Sequence, residues 1–128
     1  MVNVDEFKEL TKQIIGCAMQ VHQTLRNGFQ EATYQRALEI ELTETGISYQ
    51  RELEVPIYYR DRQIGTRRVD FLVQEKVLVE LKAISKIDDI HLAQVINYLE
   101  AFKLPLGLLI NFGEKSLYFK RFVKAPRK

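Results

Sequence analysis

Asp70, Glu80 and Lys82 are ionisable residues set inside two apolar runs of strand length, Val69-Asp70-Phe71-Leu72-Val73 and Val77-Leu78-Val79-Glu80-Leu81-Lys82. Burying a charge is costly unless it is paired or bound to a metal, so a chain that places three there has a use for them. Residues two apart on a strand share a face. Glu80 and Lys82 therefore point together, and Val77, Val79 and Leu81 point the other way. Opposed residues of a hairpin have a constant index sum, so a turn centred on Glu75 sets Asp70 against Glu80 and Arg68 against Lys82. Val69, Phe71 and Val73 then join Val77, Val79 and Leu81 on the apolar side, and a register shifted by one would mix the two faces.

Two carboxylates opposed across a strand pair repel each other, which raises one pKa unless a cation intervenes. A hard divalent ion such as Mg²⁺ suits oxygen ligands and keeps waters in its remaining positions. Lys82 is a poor ligand for such an ion, but it could hold an attacking water or stabilise charge developing on a phosphate. The plainer reading is a solvent-facing ion network of Arg68, Asp70, Glu80 and Lys82. Glu31 adds a fourth group: it shares a helical face with Tyr34, Leu38 and Leu42, so a carboxylate projects from an inward stripe. A first-turn Glu favoured by the helix dipole is the alternative. His91, Gln94 and Tyr98 fall in one narrow sector of a later helix, beside the stripe of Leu92, Val95, Leu99 and Phe102; a helix flank at the core's edge would look the same. His22 and Cys17 receive no chemistry.

The elements that must position these groups follow from periodicity. Ile14, Ala18, Val21 and Leu25 mark an amphipathic helix over Val4 to Leu25, closed by Asn27-Gly28. A second helix runs from about Gln30 to Thr45 and stops at Gly46. Ser48 to Tyr59 alternates as a strand, and Arg60-Asp61-Arg62 reads as a turn. The two charged strands follow, joined near Gln74-Glu75-Lys76. Asp88 to Phe102 is helical, Leu106 to Phe112 is a strand covered on both faces, and Leu117 to Val123 is a last strand. Strand-helix-strand over Val77 to Phe112 predicts a parallel pair. The expectation is an α/β domain with a mixed central sheet, its first three strands a meander, flanked by helices.

The chain's 128 residues and 46% hydrophobic content suit one domain with a real core rather than a disordered segment. Its longest apolar run contains Pro105 and is too short to span a bilayer. The opening Met-Val-Asn-Val-Asp-Glu lacks the pattern of a signal peptide, and a lone Cys17 excludes an internal disulfide or a Cys-based zinc site. A cytoplasmic location is the default expectation. A net charge of +2 does not by itself indicate nucleic-acid binding. Basic residues do cluster, at Arg60, Arg62, Arg67 and Arg68 and at Lys120, Arg121, Lys124, Arg127 and Lys128; solvated surface charge, and a frayed tail for the second group, account for them simply.

Gly28-Phe29-Gln30-Glu31-Ala32-Thr33-Tyr34 has the form G-x-x-E-x-x-Y. Together with Asp70, Glu80-Leu81-Lys82 and Asn111-Phe112-Gly113, it resembles the GxxExxY protein family, grouped with the PD-(D/E)XK nuclease superfamily. The resemblance runs from Thr11 to about Val123. It implies a restriction-endonuclease-like core, helix-strand-strand-strand-helix-strand, in one domain over residues 1–128. Asp70 resembles the catalytic Asp, Glu80-Leu81-Lys82 the (D/E)-X-K, and Glu31 the first-helix Glu. Val69 stands where the name-giving Pro would be. Gln94-Val95-Ile96-Asn97-Tyr98 is similar to the Q-x-x-x-Y element of the exonuclease-like branch, where Gln and Tyr line the substrate cleft. The implied activity is Mg²⁺-dependent phosphodiester cleavage, Mn²⁺ serving as a substitute. Asp70, Glu80 and the Leu81 carbonyl would be ligands and Glu31 an outer or second-ion ligand. Lys82 would orient the nucleophilic water, and Arg67 and Arg68 would contact phosphate. The expected partner is nucleic acid, DNA first, with no membrane. A nuclease-fold module that has lost catalysis and binds nucleic acid or a partner protein, and a homo-oligomer assembled through sheet edges or Tyr58 and Tyr59, are the alternatives.

Overall fold

The structure is a computed structural model and describes residues 4–124; Arg127 and Lys128 of the second basic cluster, and the first three residues of the chain's opening, lie outside that range. Helix α1 (Val4–Leu25) buries Phe7, Leu10, Ile14, Ala18 and Val21, spaced by three or four as one face of a helix requires. Helix α2 (Glu31–Thr45) buries Tyr34, Leu38 and Leu42 completely. It ends where Gly46 adopts φ 79°, a left-handed turn that a side chain disfavours. No helix among the described residues is long and apolar enough to cross a membrane.

Strands β1 (Tyr49–Tyr59), β2 (Arg62–Val73), β3 (Val77–Lys82), β4 (Leu106–Asn111) and β5 (Tyr118–Val123) lie side by side in chain order in one mixed sheet. Helix α3 (Asp89–Phe102) connects β3 to β4, which pair in parallel. Every residue of β4 is buried, and so is every residue of β3 except Lys82. The reason is that helices cover both sides. Helices α1 and α2 pack with Phe71, Val73, Val77, Val79, Leu81, Leu108 and Ile110. Helix α3 packs with Leu78, Leu109 and Phe122.

The pairs Phe71↔Val79, Leu72↔Leu78 and Val73↔Val77 have the expected index sum. The ladder ends there. Arg68 does not face Lys82; it pairs across β1 with Glu54, guanidinium to carboxylate 3.3 Å. Val69 also leaves its expected face and packs with Leu53 in the α3-side cluster. The cause lies opposite Asp70, where Glu52 takes φ +54° in the middle of β1. A left-handed residue interrupts the two-residue alternation of a strand, and β2 departs from β3 at that level. Of the second basic cluster, Arg121 donates to Thr11 Oγ1 at 2.8 Å and Lys124 pairs with Glu100 at 3.1 Å, so these belong to the folded sheet region and not to a loose tail.

Candidate active site

Where β2 and β3 separate, side chains replace the backbone ladder. The Asp70 N–H donates to Glu80 Oε1 at 3.1 Å, and the Leu81 N–H donates to Asp70 Oδ2 at 2.8 Å. The two carboxylates thus occupy a fork in the sheet and satisfy amides that would otherwise be orphaned. Glu80 is only 5% exposed. Lys82 follows two residues later, and its charge favours ionisation of Asp70, Glu80 and Glu31 alike.

Helix α2 brings Glu31 and Gln35 to the same place. Gln35 Nε2 donates to Asp70 Oδ1 at 2.8 Å, and its own Oε1 accepts from Arg51 at 3.4 Å. Gln35 and Arg51 were missed in the sequence. Gln35 lies one turn after Glu31 and could have been found from that spacing. The Gly-to-Tyr segment has a mechanical basis. Gly28 adopts φ 120°, and the Tyr34 hydroxyl accepts from Phe29 N and donates to Arg26 O, while its ring stacks on Phe112 at 4.7 Å. A buried tyrosine therefore fixes the loop that delivers Glu31. Gln30, Glu31, Ala32, Gln35, Glu52 and Asp70 line a cleft of about 380 Å³.

The electrostatics are those of crowded acids. Burial, then the charge of Asp70, pushes the Glu80 carboxyl up to about 8. Burial also raises Asp70, against the opposing pull of Leu81 N–H, Gln35, Lys82 and Glu31. Glu31 is open to solvent along its length, yet partial desolvation of its carboxyl and the neighbouring Asp70 raise it too. An arrangement of this kind favours a cation. Among the described residues no three carboxylate, imidazole or thiolate groups are already gathered around one point. Mg²⁺ does not require that, since it binds through one or two carboxylates and retains its waters. The Asp70–Glu80 pair and the adjacent Leu81 carbonyl fit that chemistry.

Helix α3 supplies the other wall. Tyr98 is nearly buried, and burial and then Glu80 raise its hydroxyl pKa while Arg67 opposes. Arg67 is exposed and meets no carboxylate among the described residues, while its neighbour Arg68 is engaged with Glu54 and, at 3.9 Å, Glu52. Gln94 Oε1 is buried without a hydrogen-bond partner among the described residues, an acceptor awaiting a donor. His91 is a helix cap: its Nδ1 accepts the Asp88 N–H at 2.9 Å. His22 is a buried structural residue, Nε2 2.9 Å from the Glu114 carbonyl. Asn111 and Gly113 lock the loop after Lys82. Asn111 Oδ1 accepts from Ile84 N at 3.0 Å, its Nδ2 donates to Ile84 O at 2.9 Å, and a Cβ on Gly113 would meet Ile84 O at 2.2 Å.

No curated protein matches the chain. The crystal structure of SSO0001 superposes with a TM-score of 0.58 at 18% identity, over 76% of this chain and 52% of that one. That likeness is one of fold, and this chain spans about half the length of SSO0001. A model of the PD-(D/E)XK nuclease superfamily matches residues 8–122, a span that includes α2, the whole fork and α3. The resemblance to GxxExxY proteins is compatible with that match. A mixed sheet with helices on both faces, split at an Asp and an E-x-K strand, thus agrees with the sequence match over nearly the full chain: the protein belongs to the PD-(D/E)XK nuclease superfamily.

Proposed function

We propose that the fork is the active site of a metal-dependent nuclease that hydrolyses phosphodiester bonds in nucleic acid, DNA being the expected substrate, and that the chain works as one nuclease-like domain. The observation that carries this reading is the convergence of Glu31, Asp70, Glu80 and Lys82 from three elements on one splayed strand end, with Glu80 only 5% exposed. A structural ion network would pair these acids and leave none of them so poorly solvated. Asp70, Glu80 and the Leu81 carbonyl would hold Mg²⁺, or Mn²⁺ in its place, and Glu31 would reach the ion through water or help to site a second one. A bound ion of this kind supplies stabilisation of the negative charge that develops on the phosphate oxygens.

The chain's own residues do the rest. Lys82 orients the attacking water, three donors on a point charge serving that role well. Gln35 holds the Asp70 carboxylate in orientation through its 2.8 Å bond. Tyr98, kept protonated by burial and by Glu80, donates to the substrate strand, and Gln94 Oε1 accepts from it or from an ordered water. Arg67 contacts a phosphate. Arg68 can join it only by giving up Glu54; such exposed pairs are worth about 0–1 kcal/mol, so the exchange is cheap.

The test is cleavage of plasmid, linear duplex, single-stranded DNA and RNA by purified protein in Mg²⁺ and Mn²⁺. Cleavage that is lost in Lys82→Ala supports the reading. Failure to cut any of them, joined to calorimetry that detects no metal uptake, retires it in favour of a non-catalytic module.

A further inference from the structure

Only three residue pairs join β2 to β3, Phe71 to Val73 with Val77 to Val79. Arg62, Gln63 and Gly65 to Val69 of β2 pair with β1 alone, Ile64 being passed over at the register shift. The outer half of β2 therefore has no strand on its second edge, and the hairpin reaches past β3 with its β1 side touching α3. All residues from Tyr58 to Arg68 are exposed, including Tyr58 and Tyr59 at 61% and Ile64 at 66%. That span holds four arginines and one acid, Asp61. Arg68 is paired with Glu54. Among the described residues Arg60, Arg62 and Arg67 meet no carboxylate; Arg60 lies over the Tyr59 ring at 5.6 Å.

We infer that this hairpin is an arm that lies along the backbone of a nucleic-acid duplex, holding the flank of the strand whose phosphate sits at the fork. The inference rests on the reading of the fork as a nucleic-acid site and adds the surface that grips the substrate beyond it. Its root is at the site: Val69 adjoins Asp70, and Arg67 acts electrostatically on Tyr98. From Val69 to Arg62 the arm runs alongside Leu53 to Tyr59 of β1, about 20 Å at ~3.3 Å per residue, the axial length of about six base pairs. In the observed register Arg67 faces Val55 and Arg62 faces Tyr59, so both arginines stand on one side of the arm, about 13 Å apart. Free guanidinium groups at such spacing match a line of phosphates.

A second copy of the chain is the less suitable occupant. Two such arms carry the same charge. Pairing through the outer edge of β1 is also obstructed by Pro56 and by the register shift between Ile57 and Tyr58.

The experiment is fluorescence anisotropy in metal-free buffer over a range of salt, with DNA duplexes of about 24 and about 8 base pairs. It compares the full chain with Arg60→Gln/Arg62→Gln and with Tyr58→Ser/Tyr59→Ser. The native arm predicts tighter binding of the longer duplex. The arginine variant should lower the log–log salt slope by about 2, near 0.9 for each phosphate no longer neutralised, and cut affinity for the longer duplex at least about tenfold. Thermal midpoints should stay in place, because the substituted side chains are exposed. Equal slopes and affinities in variant and native protein overturn the inference, as does failure of the native chain to bind any duplex. A change of mass by light scattering without a change of slope overturns it too, in favour of self-association. Arm-dependent binding, joined to no cleavage in Mg²⁺ or Mn²⁺ and no metal uptake by calorimetry, retires the nuclease reading and keeps this one; cleavage in Mg²⁺ unaffected by the arginine variant at every duplex length retires this one and keeps the nuclease.

Discussion

Replacing Glu80 by Gln keeps an oxygen for the Asp70 N–H at 3.1 Å and removes only the charge. In an unfolded chain the Glu80 carboxyl titrates near 4.5; in the fold, burial and then Asp70 push it up to about 8. A folded state that binds its proton more tightly keeps that group's full contribution to stability below about pH 4.5 and loses it as pH rises through about 8. Each decade of displacement corresponds to about 1.4 kcal/mol, so a rigid, dry fork would lose ~5 kcal/mol by about pH 8.5. Water admitted to the fork and proton sharing with Asp70 reduce the loss to on the order of 2 kcal/mol. In a domain of this size that is roughly 6–10 °C in Tm. Melts in EDTA should therefore find Glu80→Gln more stable than the native chain by that amount near pH 8.5, and about equal to it near pH 5. Added Mg²⁺ should raise the midpoint of the native chain, because ligand binding to the folded state stabilises it, and leave the variant unmoved. Parallel stability profiles from about pH 5 to 8.5 would show that Glu80 is not held against its charge, and the electrostatic account of the fork would be refuted.

Lys82→Ala and Asp70→Ala should each abolish cleavage while far-ultraviolet circular dichroism stays native; loss of folded signal in Lys82→Ala, whose side chain is only partly buried, would contradict its assignment. Gln35→Leu removes the donor to Asp70 Oδ1 and should weaken Mg²⁺ binding by about 10–100-fold, as loss of ligand-orienting bonds does, measured by isothermal titration. Metal affinity of the native chain should rise with pH up to about 8, because the ion displaces protons from raised carboxyls; calorimetry in buffers of different ionisation enthalpy reads the released protons. Asn111→Ala leaves the Ile84 N–H and carbonyl unpartnered; at ~1–3 kcal/mol per buried group left unsatisfied, and with Ile84 only partly buried, it should cost about 2–4 kcal/mol in urea unfolding.

Much of the architecture was legible because its causes are local. The stripe of Ile14, Ala18 and Val21 names α1, and the all-apolar β4 announces a strand covered on both faces. The hairpin register followed from turn position and the two-residue period, and Phe71↔Val79 agrees with it. The same local reasoning failed at Val69 and Arg68. It extended the ladder past the level where Glu52 turns left-handed and the strands part, and no propensity of Glu signals that turn. Gln35 carries no local signal beyond its one-turn spacing from Glu31. Its meaning depends on Asp70, thirty-five positions away.

The sequence by itself determined which groups could do chemistry and which elements carry them, since helical and strand periods depend on neighbours a few residues apart. Only the tertiary structure decided that Asp70 and Glu80 fill the gap between diverging strands, that Arg68 is held by Glu54 while Arg67 meets no carboxylate among the described residues, and that the outer half of β2 pairs with β1 alone. Those outcomes depend on where two strands stop pairing, which is set by packing across the whole sheet and by how each buried charge finds a partner distant in the chain.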